Sequence, residues 1–243
     1  MKHYGTLAIP SGRLFMGDPC YIRQDVIDEI KAGDASQSGE SVLDLRVPGS
    51  AEVHYDVDPS EGRLAAVYLF FTEPFDLTDS AGEELEVLGV DSGQMSYCDA
   101  EYLGAQWTDG DYVDIRKYRH KTTGDILQYM VDFPHYEAPI ASQDGKTMNQ
   151  LNATGEWESM PYDHPIDVSY NGMCHCHDDG DDLGRVDDHV VVSGSGYGDG
   201  QYEVLMHRAE DGSIGCISIT FIGEDDEDED DWDFDDENEE DEN

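Results

Sequence analysis

Positive charge is the scarcest thing in this sequence. Its 243 residues hold 13 Lys and Arg against 57 Asp and Glu, a formal net charge of -44. Such a chain repels phosphate backbones, so no direct nucleic-acid partner is expected. Long apolar runs are missing as well. No stretch approaches 18 apolar residues, and no membrane partner is expected. The opening "MKHYGTLAIPSG" lacks an apolar signal core and a small-residue cleavage site, which sets a cytoplasmic location as the expectation. Cysteine is sparse and odd in number, at five, which argues against a disulfide framework. No P-loop, nucleophile elbow, kinase set or HExxH pattern occurs, so the reading leans away from an enzyme.

What the sequence has in excess is acid. The run over 224–243 carries sixteen acids and no base, yet residues 1–223 still hold 41 acids against 13 bases. A surface of this kind repels itself and loses stability at ordinary salt. At molar salt the Debye length falls to roughly 3 Å and the repulsion is screened. Salt adaptation therefore fits best, which points to a halophilic organism or its virus, the latter placing the protein in the host cytoplasm. The rival reading is an acidic mimic of nucleic acid, a decoy whose carboxylates imitate phosphates. The tail cannot bury enough apolar surface to fold and is expected to be disordered. Trp232 and Phe234 alternate within "DDWDFDD" and mark it as a candidate partner-binding peptide.

The folded part writes one pattern twice. Laying Leu7 on Leu88 places Ser11 on Ser92, Gly12 on Gly93, Asp18 on Asp99 and Tyr21 on Tyr102. Later, Gly62 falls on Gly212, Leu69 on Ile219 and Phe71 on Phe221. Before that turn, Tyr55-Asp56-Val57 is matched with Tyr202-Glu203-Val204, with three residues inserted between. Each half then reads as strand, Ser-Gly turn, strand, Asp, short helix and closing hairpin. "YIRQDVIDEIKAG" has helical spacing closed by Gly33. The expected architecture is α+β and β-rich, with two related halves forming antiparallel sheets with short helices. The halves span 1–75 and 76–223, followed by the tail over 224–243. The second half carries an insertion at about 104–190, including a hairpin across "TTGD". Long insertions in compact domains tend to carry function.

Four features could carry chemistry. "MCHCHDD" would put Cys174 and Cys176 on one face of an extended segment and His175 and His177 on the other. Thiolate and imidazole suit zinc, with His164, His189 or Cys98 as candidates for the remaining ligands. No cofactor is firmly called for, and zinc is the metal these residues would take. "SGSGYGDGQY" permits close backbone approach at Gly196, Tyr197, Gly198 and Asp199, a candidate ligand or anion loop. "RKYRHK" concentrates positive charge, with Arg116 and Arg119 as candidate anion contacts. Asp18 and Asp99 could meet as a carboxylate pair, but each stands before a short helix and reads better as its cap.

"VDSGQMSYCDAEYL" and "VVVSGSGYGDGQYEVLMHRAEDGSIGCISITFI" resemble an uncharacterised bacterial and phage family, a domain of unknown function. That family pairs a VDSGQ-type motif with a C-terminal GYGDGxY hairpin. "SGRLFMGDPCYI" resembles its DPCY opening. The resemblance implies no activity. The leading expectation is a non-catalytic binding or accessory protein acting at the insertion. The alternatives are a metal-dependent enzyme or zinc-stabilised module at the Cys/His segment, and the acidic decoy.

Overall fold

A computed structural model describes residues 1–33, 42–77, 82–110, 116–160, 165–176 and 183–223. The acidic run with Trp232 and Phe234, and also His164 and His177, lie outside the described residues. The first half runs β1 (Lys2–Ala8), β2 (Arg13–Gly17), α1 (Gln24–Ala32), β3 (Val42–Arg46), β4 (Ser50–Val57) and β5 (Leu64–Phe70). The second opens with β6 (Glu83–Val90), β7 (Gln94–Asp99) and α2 (Ala100–Gln106). Then come β8 (Lys117–His120), β9 (Ile126–Gln128), α3 (Met148–Ala153), β10 (Trp157–Ser159) and α4 (Tyr170–Cys174). It closes with β11 (Leu183–Asp187), β12 (Val190–Gly194), β13 (Gly200–Arg208) and β14 (Ile214–Thr220). The fold is α+β and strand-rich, with three antiparallel sheets and short helices.

The larger sheet has the order β1-β4-β5-β14-β13-β6, and the second the order β11-β12-β7-β2-β3. Their facing sides share one core. Leu7, Val53, Leu69, Ile217, Val204 and Leu88 come from the first, and Leu14, Met16, Tyr97 and Val191 from the second. The far side of the five-stranded sheet is covered by helices. Phe15, Cys98 and Val192 pack there against Ile27, Ile30, Leu103 and Met173. With both faces covered, β2 is buried at every position, which is why "RLFMG" shows no polar alternation.

The central pairings link positions that the sequence matches to each other. Met16 lies opposite Tyr97 in the β2–β7 ladder, and Tyr68 lies opposite Ser218 in the β5–β14 ladder. One expectation needs correction. Val53 faces Leu69 while Val204 faces Ile219, so the ladders pair Val53 with Val204 and Tyr55 with Met206. The match of Tyr55 to Tyr202 is four residues off. A slip of four keeps every side chain on its face, so alternation in the sequence could not detect it. The added length falls earlier. Residues 47–49 join β3 to β4, whereas residues 195–199 join β12 to β13.

The helix at Asp18 also differs from expectation. Pro19–Tyr21 form a single 3-10 turn, Ile22 is extended, and α1 begins at Gln24. Gly33 ends it as read, at φ 81°, donating its N–H to the carbonyls of Glu29 and Ile30. In the insertion, the hairpin across "TTGD" forms β8 and β9, joined by β10 in a three-stranded sheet. This lobe has its own core of Leu127, Phe133, Ile140, Met148, Leu151 and Trp157.

Candidate functional site

Asp18 and Asp99 are fully buried, and both cap as the sequence suggests. Asp18 accepts from Cys20 N–H at 2.7 Å, and Asp99 accepts from Tyr102 N–H at 2.8 Å. Each carboxylate also reaches across to the other half's Ser-Gly turn, a contact the sequence does not announce. Asp18 accepts from the N–H groups of Asp91 and Ser92, both at 2.7 Å, and from Ser92 Oγ at 2.6 Å. Asp99 accepts from Ser11 N–H at 2.9 Å. The tyrosines that follow take further acids. Tyr21 donates to Asp91 at 2.5 Å, and Tyr102 donates to Asp187. With their oxygens so engaged, these aspartates are structural clasps rather than an acid–base pair.

The described part of the Cys/His segment, up to Cys176, is not an extended strand. Tyr170–Cys174 form α4, capped by Ser169, whose hydroxyl accepts from Gly172 N–H at 3.0 Å. The alternation that would have split cysteines from histidines is therefore replaced by a helical turn. Cys176 is buried and its thiol donates to the Met173 carbonyl at 3.1 Å. Burial, reinforced by the charge of Asp18, pushes the Cys174 thiol well above its ordinary range, and Cys20 shifts the same way for the same reasons. Thiols held protonated are poor nucleophiles. Among the described residues, no three His, Cys, Asp or Glu come together as a metal-holding group. All five cysteines are free.

Arg116 and Arg119 lie on the insertion lobe and are engaged there. The Arg116 guanidinium sits 4.1 Å from the Tyr129 ring centroid and donates to Tyr136 Oη at 3.3 Å. Arg119 pairs with Glu158 at 2.6 Å across the β8–β10 ladder.

The glycine loop is different, because it borders open space. Ser193 and Ser195 are buried, and Ser193 meets Tyr97 Oη at 3.1 Å. Ser195 N–H donates to the Gly93 carbonyl at 3.1 Å, as Val47 N–H donates to the Gly12 carbonyl in the first half at 3.0 Å. The five-residue loop is then tied to itself. Ser195 Oγ donates to the Gly198 carbonyl at 2.7 Å, and Tyr202 Oη lies 3.0 and 2.8 Å from the carbonyls of Ser195 and Gly198. Gly196 has φ 65°, and a Cβ there would stand 2.9 Å from Ile222 Cγ1. Arg63 holds the loop from outside, donating to the Gly196 carbonyl at 3.2 Å with its guanidinium 5.5 Å from the Tyr197 ring.

Beside this loop lies a groove of about 730 Å³. Tyr197, Tyr202 and Phe221 supply aromatic wall, and Glu61, Asp199 and Glu203 supply carboxylates. Tyr197 is 54% exposed. The sequence marks Tyr197 and Asp199 but gives no sign of Glu61 or Phe221, which arrive from the β4–β5 turn and the end of β14. Among the described residues no helix is long and apolar enough to cross a membrane. No protein-family model matches the chain, and no curated protein or solved structure matches it either.

Proposed function

We propose that the protein is a non-catalytic binding protein built on a duplicated half, and that the groove beside residues 195–199 is its binding site. The observation that carries this reading is the tied glycine loop, which holds an exposed tyrosine at its centre beside a groove of about 730 Å³. Glycine-bearing loops on a rigid scaffold are where ligands are commonly met. The aligned Asp clasps and the order of the six-stranded sheet, which reads alike from either end, support the duplication. The lining moves the ligand class from the anion suggested by loop type to a cation. Arg63 already pairs with Glu61 at 3.1 Å and sits against the Tyr197 ring, and Asp199 and Glu203 add further negative charge, so the lining favours a positively charged group. The acidity of the chain is read as salt adaptation, and the family resemblance stays a proposal beside it.

The test is an NMR titration of the labelled protein with spermine and, separately, with inorganic phosphate. Spermine should give saturable shifts centred on residues 197–203, and Tyr197→Ala should remove them. Shifts spread evenly over all acidic loops, or localised shifts with phosphate alone, would refute this site.

A further inference from the structure

The insertion lobe differs from the rest of the molecule in charge. Residues 116–160 hold five bases and six acids, a net charge of -1. The other residues before 224 hold eight bases and thirty-five acids, a net charge of -27. The lobe also displays apolar side chains. Ile126, Met130 and Val131 are 52%, 64% and 72% exposed, within six residues of one another. Ile126 and Met130 lie on the outward row of their strand and turn, while Leu127 between them points into the lobe core.

The turn that carries Met130 and Val131 is fixed, so this exposure is not a frayed end. Met130 N–H donates to the Phe133 carbonyl at 2.8 Å, and Asp132 N–H donates to the Gln128 carbonyl at 2.8 Å. The Asp132 carboxylate accepts from Gln128 N–H at 2.7 Å. Met130 sits at φ 61°, a left-handed conformation that disfavours any side chain but a hydrogen. A glycine would relieve that strain. The chain instead keeps a large apolar group at the exposed tip of the turn.

We propose that this tip is the surface through which two copies of the chain meet, lobe against lobe. A two-fold contact sets a patch against itself, so the patch must not repel its own copy. In a chain this acidic, the near-neutral lobe meets that condition, and its exposed apolar tip supplies the driving force. Meeting there also holds the two acidic bodies apart. Among the described residues only three large apolar side chains are displayed there, so the dimer is a weak, reversible one.

The test is sedimentation velocity of the full chain over a range of concentrations, at low and at molar salt. Met130→Gly with Val131→Ser removes the tip while easing the backbone, and circular dichroism checks that the variant is folded. Tyr197→Ala serves as a control away from the lobe. A concentration-dependent dimer that strengthens with salt, weakens about tenfold or more in the double variant and persists in the control is the expected result. A wild-type chain that stays monomeric up to about 1 mM, where an association worth about 4 kcal/mol would be half complete, overturns the proposal. So does a dimer unchanged in the double variant, or one that salt dissociates.

Discussion

The two halves solve the same junction in different ways. In the first, residues 47–49 carry the chain directly from β3 to β4, and Gly49 has ordinary backbone geometry, where a Cβ would stand 3.8 Å from the Ile9 carbonyl oxygen. In the second, residues 195–199 span the matching junction, tied by Ser195, Tyr202 and Arg63. Both turns hang from the same backbone bond, Val47 to Gly12 in one and Ser195 to Gly93 in the other. The sheets fix where the junction is, and the extra length then builds the wall of a groove. A framework held on both sides lets one junction lengthen while the other stays short.

The largest expected effect is at the clasps, which are unequal. Asp18 accepts four hydrogen bonds and Asp99 two. Asp18→Ala takes the acceptor from three part-buried N–H groups and the Ser92 hydroxyl and should cost about 4 kcal/mol, while Asp99→Ala should cost about 2 kcal/mol. Denaturant unfolding of both variants measures the difference. Equal losses would mean that the halves depend on the two clasps alike.

Next come the glycines of the two junctions. Gly196→Ala meets a left-handed backbone and a contact at 2.9 Å, and should destabilise by about 2 kcal/mol. Gly49→Ala should change stability by no more than a few tenths of a kcal/mol, within the range of unstrained surface substitutions. Thermal melts of the pair sharpen the comparison, and a harmless Gly196→Ala would break it.

A smaller effect is expected at high pH. The hydrogen bond to Asp91 raises Tyr21 to about 12, and the hydrogen bond to Asp187 raises Tyr102 to about 12. The folded state thus binds these protons more tightly than the unfolded chain, whose tyrosines titrate near 10. Their stabilisation is full below about pH 10 and is lost as the pH rises through about 12. Stability measured across that window should fall, and the fall should be shallower in Tyr21→Phe and in Tyr102→Phe. An unchanged slope in both would remove these bonds from the account.

Much of the scaffold is legible in the sequence. The Ser-Gly turns, the Asp caps, the helix stop at Gly33 and the hairpin across "TTGD" are local signals, and local physics decides them. The site was half legible. Glycine spacing points to Gly196, Tyr197, Gly198 and Asp199, but Glu61 comes from another hairpin, and only the sheet order brings it there. The cross-reach of Asp18 to Ser92 spans 74 residues and leaves no periodic trace. The register of β13 slipped by four because alternation repeats every two residues. The start of "MCHCHDD" departs from the strand its alternation suggests for a local reason: Ser169 caps a short helix that runs through Met173 and Cys174.

The central claim is that the longer second junction makes the binding groove while the shared framework makes the fold. Exchanging residues 195–199 for the Val-Pro-Gly of residues 47–49 tests it most directly, with spermine titration followed by NMR on the intact and exchanged chains. The account predicts dispersed spectra from both, and localised, saturable shifts at residues 200–203 in the intact chain only. Equal shifts at residues 200–203 in the two chains would contradict it.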